Sequence, residues 1–159
     1  KKKKKKIKKM TPYIDIRYNI FTDDEINKMI SGFHLNEDKT ETYRDTIILP
    51  LRGENLPWFN KKFEPYIHDN VIDWMQIVRW PTGSTQAIHL DEASDETTIA
   101  SITFLNDDFD GGETFFGDGT IVKPAKNKTI FFTGKNLLHG VNKVSNGNRY
   151  TIATWYKKK

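Results

Sequence analysis

Bulky and β-branched side chains at Tyr13, Ile14, Ile16, Tyr18 and Ile20 nearly alternate with polar ones, which predicts an opening strand over 13–20. Thr22 with Glu25 three residues on forms a capping box, flanked by a Phe21 and Ile26 staple. Ile26, Met29 and Ile30 then mark one buried helical stripe, and Gly32 is expected to end it. Residues 34–44 are polar and without period, so a loop is expected there. Thr46 to Leu51 reads as a short strand stopped by Pro50 and the Arg52-Gly53-Glu54-Asn55 turn. Trp58, Phe59, Phe63, Tyr66 and Ile67 recur at helical spacing, with Pro57 suited to a first turn and Pro65 arguing against an undisturbed helix. From Val71 onward only strands and turns are predicted: 71–80, 86–90, 98–105, 113–116, 119–122, 128–132, 137–142 and 149–156.

Many short strands after two helices predict a mainly β fold with flanking helices: a double-stranded β-helix, that is, a cupin-like jelly roll, buttressed by the N-terminal helices. At 159 residues one core suffices, burying roughly two-thirds of the unfolded surface. One domain over 10–156 is expected, between a basic tail at 1–9 and another at 157–159.

The formal charge of +4 suggests a polyanion partner, but eleven of the 25 basic residues are lysines of those tails. Without them 14 basic residues face 21 acidic ones, so the body is acidic and no nucleic-acid partner is expected. No apolar segment follows the first lysines as a signal peptide or membrane span would, and there is no cysteine. These features predict a cytoplasmic protein with no membrane partner. The sequence carries no expectation about oligomeric state.

In an extended strand His89 and Asp91 share a face while Leu90 turns away, and His139 would join them from another strand. Two imidazoles and one carboxylate can hold one face of an octahedral iron(II). Arg149 follows ten residues after His139, with Thr151 beyond it, and an arginine is suited to clamping a carboxylate through two parallel hydrogen bonds. His34 and His68 lie in polar or helical surroundings and are expected at the surface.

Further motifs surround these residues in order. Gln76-Ile77-Val78-Arg79-Trp80 with Gly83 precedes His89, then come Phe104-Leu105-Asn106-Asp107, Gly111-Gly112-Glu113-Thr114-x-Phe116 and Val122-Lys123-Pro124. Thr129 to Phe132 and Arg149 to Tyr156 close the series. From Gln76 to Tyr156 the chain resembles the prolyl hydroxylase branch of the iron(II)/2-oxoglutarate-dependent dioxygenases. The resemblance implies iron(II), 2-oxoglutarate and dioxygen, with ascorbate as an optional reductant. It implies His89, Asp91 and His139 as metal ligands, and Arg149 on the far carboxylate of 2-oxoglutarate. Thr114 matches a co-substrate contact and Thr151 is a weaker one. Trp80 replaces a tyrosine that hydrogen-bonds 2-oxoglutarate, so it either contacts the ligand or only packs. Gly111 and Gly112 are expected to serve a turn needing positive φ.

On the substrate side, Trp155 matches an aromatic of the family's peptide groove, core packing being the alternative. Gln86 stands where collagen-type enzymes have a substrate-contacting tyrosine, and Thr97 where they have an orienting arginine. The expected reaction is hydroxylation of a peptidyl proline in a peptide or protein substrate. The alternative is the same chemistry on another side chain or a small molecule. Nucleobase demethylation is disfavoured by the acidic body and by the lack of the second arginine of the AlkB-type enzymes.

Overall fold

A computed structural model describes residues 12–90, 94–134 and 136–159, so the expected tail at 1–9 lies outside it. In chain order the first half comprises β1 (Ile14–Tyr18), α1 (Asp23–Leu35), β2 (Glu41–Tyr43), β3 (Thr46–Leu51), α2 (Leu56–Ile67), β4 (Asn70–Trp80) and β5 (Gln86–His89). There follow β6 (Thr97–Phe104), β7 (Asp110–Gly111), β8 (Thr114–Phe116), β9 (Ile121–Val122), β10 (Lys128–Phe132), β11 (His139–Val141), β12 (Val144–Ser145) and β13 (Arg149–Lys158). A seven-stranded sheet runs β1-β10-β6-β13-β4-β3-β2, a four-stranded sheet runs β5-β11-β8-β9, and β12 pairs with β7. Among the described residues the neighbours are antiparallel throughout. This is the expected double-stranded β-helix.

The centre of the large sheet is buried on both faces, which is why β10, Lys-Thr-Ile-Phe-Phe, has no exposed position. On one face Ile26, Met29 and Phe33 of α1 and Phe59, Phe63 and Ile67 of α2 pack with Met75, Ile77, Ile152 and Tyr156. On the other, Ile102, Phe104, Ile130 and Phe132 meet Phe116 and Val122 of the small sheet. Successive side chains of a strand point to opposite faces, so each central strand feeds both layers.

The capping box forms as expected. The Thr22 hydroxyl accepts from the Glu25 N–H at 3.1 Å, and the Glu25 carboxylate accepts from the Thr22 N–H at 2.8 Å. Glu25 also takes a 2.9 Å ion pair from Lys62, tying α1 to α2. Gly32 does not end α1, which continues to Leu35. Burying Phe33 is worth about 1.5 to 3 kcal/mol, more than the ~1 kcal/mol an internal glycine loses. Asn36 then closes the helix, its amide donating to the Gly32 carbonyl at 2.7 Å. Pro65 stays inside α2 because the burial of Phe59, Phe63 and Ile67 holds the helix, while Pro65 itself faces solvent.

The expected loop at 34–44 holds the end of α1, a single 3-10 turn at Glu37–Lys39 and β2. Strand β2 is exposed at all three positions and is defined by its pairing with β3, so it carries no apolar signature. At the C-terminus, Lys157 and Lys158 belong to β13, opposite Val71 and Asn70, and not to a tail. No helix among the described residues is long and apolar enough to cross a membrane.

Thr22→Ala should lower stability by about 1 kcal/mol, read as a fall in the urea midpoint at unchanged slope. Burial raises the Glu25 carboxyl, but the Thr22 N–H and Lys62 outweigh it and hold it below the ordinary glutamate range. Its contribution is therefore present above the unfolded glutamate pKa and is lost as pH falls through the lower folded value. Glu25→Gln should flatten this acid dependence.

Candidate functional site

A pocket of about 350 Å³ opens between the two sheets. The pleat explains its composition: residues 149, 151, 153 and 155 of β13 share one face, and so do 76, 78 and 80 of β4. All seven line the pocket. Register sets them side by side, with Arg149 opposite Trp80, Thr151 opposite Val78 and Ala153 opposite Gln76. The facing wall carries Gln86, His89, His139 and Val141 from β5 and β11, and the mouth is edged by Tyr43, Arg44 and Asp45.

His89 and His139 are direct cross-strand partners, their ring centres 4.5 Å apart. Each ring is anchored in the same way, His89 Nδ1 to the Ala87 carbonyl at 2.8 Å and His139 Nδ1 to the Leu137 carbonyl at 3.1 Å. A carbonyl only accepts, so Nδ1 must carry the proton and Nε2 the lone pair, the tautomer a metal ligand requires. Phe132 packs edge-on against His139 with centres 4.6 Å apart, which keeps that imidazole buried. Asp91 lies outside the described residues. Among those described, no three His, Asp or Glu side chains gather as a metal group.

Arg149 is only 1% exposed. Its Nε donates to the Gly112 carbonyl at 2.9 Å and its Nη2 to the Thr114 hydroxyl at 3.1 Å. Its guanidinium carbon lies 5.0 Å from the ring centres of both Trp80 and Phe104. Among the described residues no carboxylate comes within ion-pair distance of it. Burial pulls its pKa down to about 9, with Glu113 at longer range acting the other way, so it remains charged at neutral pH. A buried cation held only by neutral groups is costly, and a carboxylate entering the pocket would relieve that cost.

The expected residues are therefore distributed unevenly. His89, His139, Arg149, Trp80, Thr151, Gln86 and Trp155 line one pocket. Thr114 is fully buried and does not line the pocket, but its hydroxyl accepts from Arg149, which does. Thr97 does not line it: buried at the start of β6, its hydroxyl accepts from the Ser94 N–H at 3.2 Å and closes the 94–97 turn. The indole Nε1 atoms of Trp80 and Trp155 are buried without a partner among the described residues.

Sequence reasoning missed Gly112. Both Gly111 and Gly112 have positive φ, as expected, but the Gly112 carbonyl also holds Arg149. A Cβ there would lie 3.0 Å from Arg149 Cδ and 2.8 Å from the Phe109 ring. The Gly-Gly-Glu-Thr motif pointed to the place without revealing the contact.

The family model for the 2OG-Fe(II) oxygenase superfamily matches residues 75–157, and the chain belongs to that superfamily. It is accordingly a dioxygenase that uses iron(II), 2-oxoglutarate and dioxygen. Among solved structures, it is similar to a prolyl-4-hydroxylase from Pseudomonas putida, with 15% identity and a TM-score of 0.74 over 94% of each chain. It is also similar to a viral collagen prolyl hydroxylase from Paramecium Bursaria Chlorella virus-1 in its 2OG complex. There the identity is 19% and the TM-score 0.75 over 92% of this chain and 96% of that one. A prolyl hydroxylase from Trichoplax adhaerens, in complex with a hypoxia inducible factor oxygen degradation domain peptide fragment, shares 12% identity. Its TM-score is 0.73 over 91% of this chain and 83% of that one. At these identities the likeness is one of fold. No curated protein matches the sequence.

Gly112→Ala should lower stability by about 1 to 2 kcal/mol through its positive φ alone. It should also weaken 2-oxoglutarate binding, because Arg149 must shift. An equilibrium titration giving wild-type affinity would show that the guanidinium does not depend on this glycine.

Proposed function

We propose that this dioxygenase hydroxylates a peptidyl proline, with iron(II) held by His89, His139 and Asp91 and with 2-oxoglutarate held by Arg149. The observation that carries the reading is the buried Arg149 guanidinium, without a described carboxylate partner, on the same pocket as two imidazoles in the ligand tautomer. When bound, iron(II) with 2-oxoglutarate and dioxygen supplies the oxidant for an unactivated C–H bond, 2-oxoglutarate leaving as succinate and carbon dioxide. The chain's own residues bind, orient and exclude water. Arg149 would hold the far carboxylate of 2-oxoglutarate, on the pocket that His89 and His139 also line. Thr114 and Gly112 orient Arg149, and Trp80 and Thr151 lie beside it as further co-substrate contacts. Phe104 packs against Arg149, and Phe116 and Phe132 against His139, so apolar groups back the residues that would hold the ligands.

The peptide substrate is supported by the pocket lining, which brings together Trp155, Gln86 and Tyr43 to Asp45, and by the prolyl hydroxylases that share the fold. A second reading, the same chemistry on another side chain or a small molecule, is favoured by two observations. Gln86 stands in the pocket wall where a tyrosine would be expected, and Thr97 is engaged in a turn. Succinate release in the presence of iron(II), 2-oxoglutarate and either proline peptides or free amino acids decides between them.

His89→Ala and His139→Ala should each abolish turnover with the circular dichroism spectrum unchanged. Turnover by either variant at saturating iron would overturn the metal assignment. Arg149→Met should weaken 2-oxoglutarate binding by about 2 to 4 kcal/mol, since a charge-assisted bidentate contact is lost. The same change should alter the stability of the unliganded protein by less, because the buried charge is removed together with its contacts. Equal losses in affinity and stability would mean that the guanidinium is a structural group only.

A further inference from the structure

The seven-stranded sheet ends on β2 at one side and on β1 at the other, and among the described residues no strand pairs with the outer edge of β1. The inner edge follows β10 from Ile14 opposite Phe132 to Tyr18 opposite Lys128 without a register shift. Just beyond the two ends of the strand, the Tyr13 carbonyl accepts from the Thr133 N–H and the Asn19 N–H donates to the Asn127 carbonyl. Bonded pairs alternate along an antiparallel ladder. The backbone groups of Asp15 and Arg17 therefore turn to β10, and those of Ile14, Ile16 and Tyr18 turn outward.

An open edge is a template for another strand, and proteins commonly blunt it with proline, lysine, a bulge or a very short strand. Strand β1, Ile-Asp-Ile-Arg-Tyr, carries none of these. Its one cation is already paired, Arg17 Nε lying 3.1 Å from Asp15 Oδ2. Ile16 and Tyr18 are 37% and 62% exposed.

The order of the side chains identifies the partner. When β1 is laid antiparallel on a second β1 about a two-fold axis at Ile16, Ile14 falls opposite Tyr18, Ile16 opposite its copy and Asp15 opposite Arg17. The three outward-turned residues then take the bonded positions. Asp15 and Arg17 take the non-bonded ones, where facing side chains lie closest. Each aspartate thus meets an arginine and each tyrosine a β-branched residue, pairings that stabilise antiparallel strands. A parallel pairing would set Asp15 beside Asp15 and Arg17 beside Arg17. A contact between β1 and β2 would join unlike edges and continue from copy to copy instead of closing.

We propose that β1 is a self-association surface, through which two copies of this chain join their large sheets into one continuous antiparallel sheet. Tyr43, which lines the pocket, belongs to β2 at the far end of each sheet, so the pairing leaves both pocket mouths uncovered. One strand pair is small beside the ~800 Å² per partner of a standard interface, so the dimer is weak and concentration-dependent.

Sedimentation velocity of the full chain, from micromolar to millimolar concentration, should show monomer passing into dimer and no larger species. Asp15→Lys and Arg17→Glu should each raise the dimer Kd at least about tenfold, because both facing pairs become like-charged. An equimolar mixture of the two variants should recover the dimer, since each then faces opposite charges on the other. Far-UV circular dichroism of each variant alone should match the wild type. A wild type that stays monomeric throughout overturns the proposal. So does a dimer that both variants retain, a loss that mixing two folded variants does not restore, or growth beyond the dimer, which would point to a β1-to-β2 contact.

Discussion

Strand β13 is paired along both edges, with β4 on one side and β6 on the other, so the side chains from Arg149 to Tyr156 are divided between two compartments. Tyr150, Ile152 and Tyr156 enter the core beneath the helices, while Arg149, Thr151, Ala153 and Trp155 enter the pocket. A register slip of one residue would exchange the two sets. It would place the guanidinium among the phenylalanines of α1 and α2 and remove the cation from the pocket. The apolar packing of the helices thus holds the chemical residues in place although it touches none of them.

The pocket end of that strand carries a tension. Arg149 keeps its charge at a depth where burial opposes it, held by a glycine carbonyl, a threonine hydroxyl and two aromatic faces. None of these neutralises it, so an anionic group entering the pocket would relieve the cost of its burial. Preorganisation of this kind reduces the reorganisation that binding requires. The histidines are prepared by a parallel device, backbone carbonyls fixing the tautomer of each ring from within its own strand.

Legibility in the sequence followed the range of the interactions. The Thr22 capping box and the α1 stripe are local, and the structure reproduces them. Gly32 misled because its local preference was weaker than the burial of Phe33, and β2 was invisible because an exposed edge strand owes its form to its neighbour. Thr97 was expected near a substrate from its position in a motif, but its hydroxyl is engaged with Ser94. Asp91, expected beside His89, lies outside the described residues.

By itself the sequence determined the fold class and the acidic character of the body, and it pointed to His89, His139 and Arg149, which share one pocket, since these depend on residue type, spacing and strand parity. Tertiary structure alone decided that Gly112 and Thr114 would hold Arg149 and that Trp80 and Phe104 would flank it. Parity along a strand can be read from a chain. Which strand lies opposite, and in what register, is set by how two buried faces are filled together.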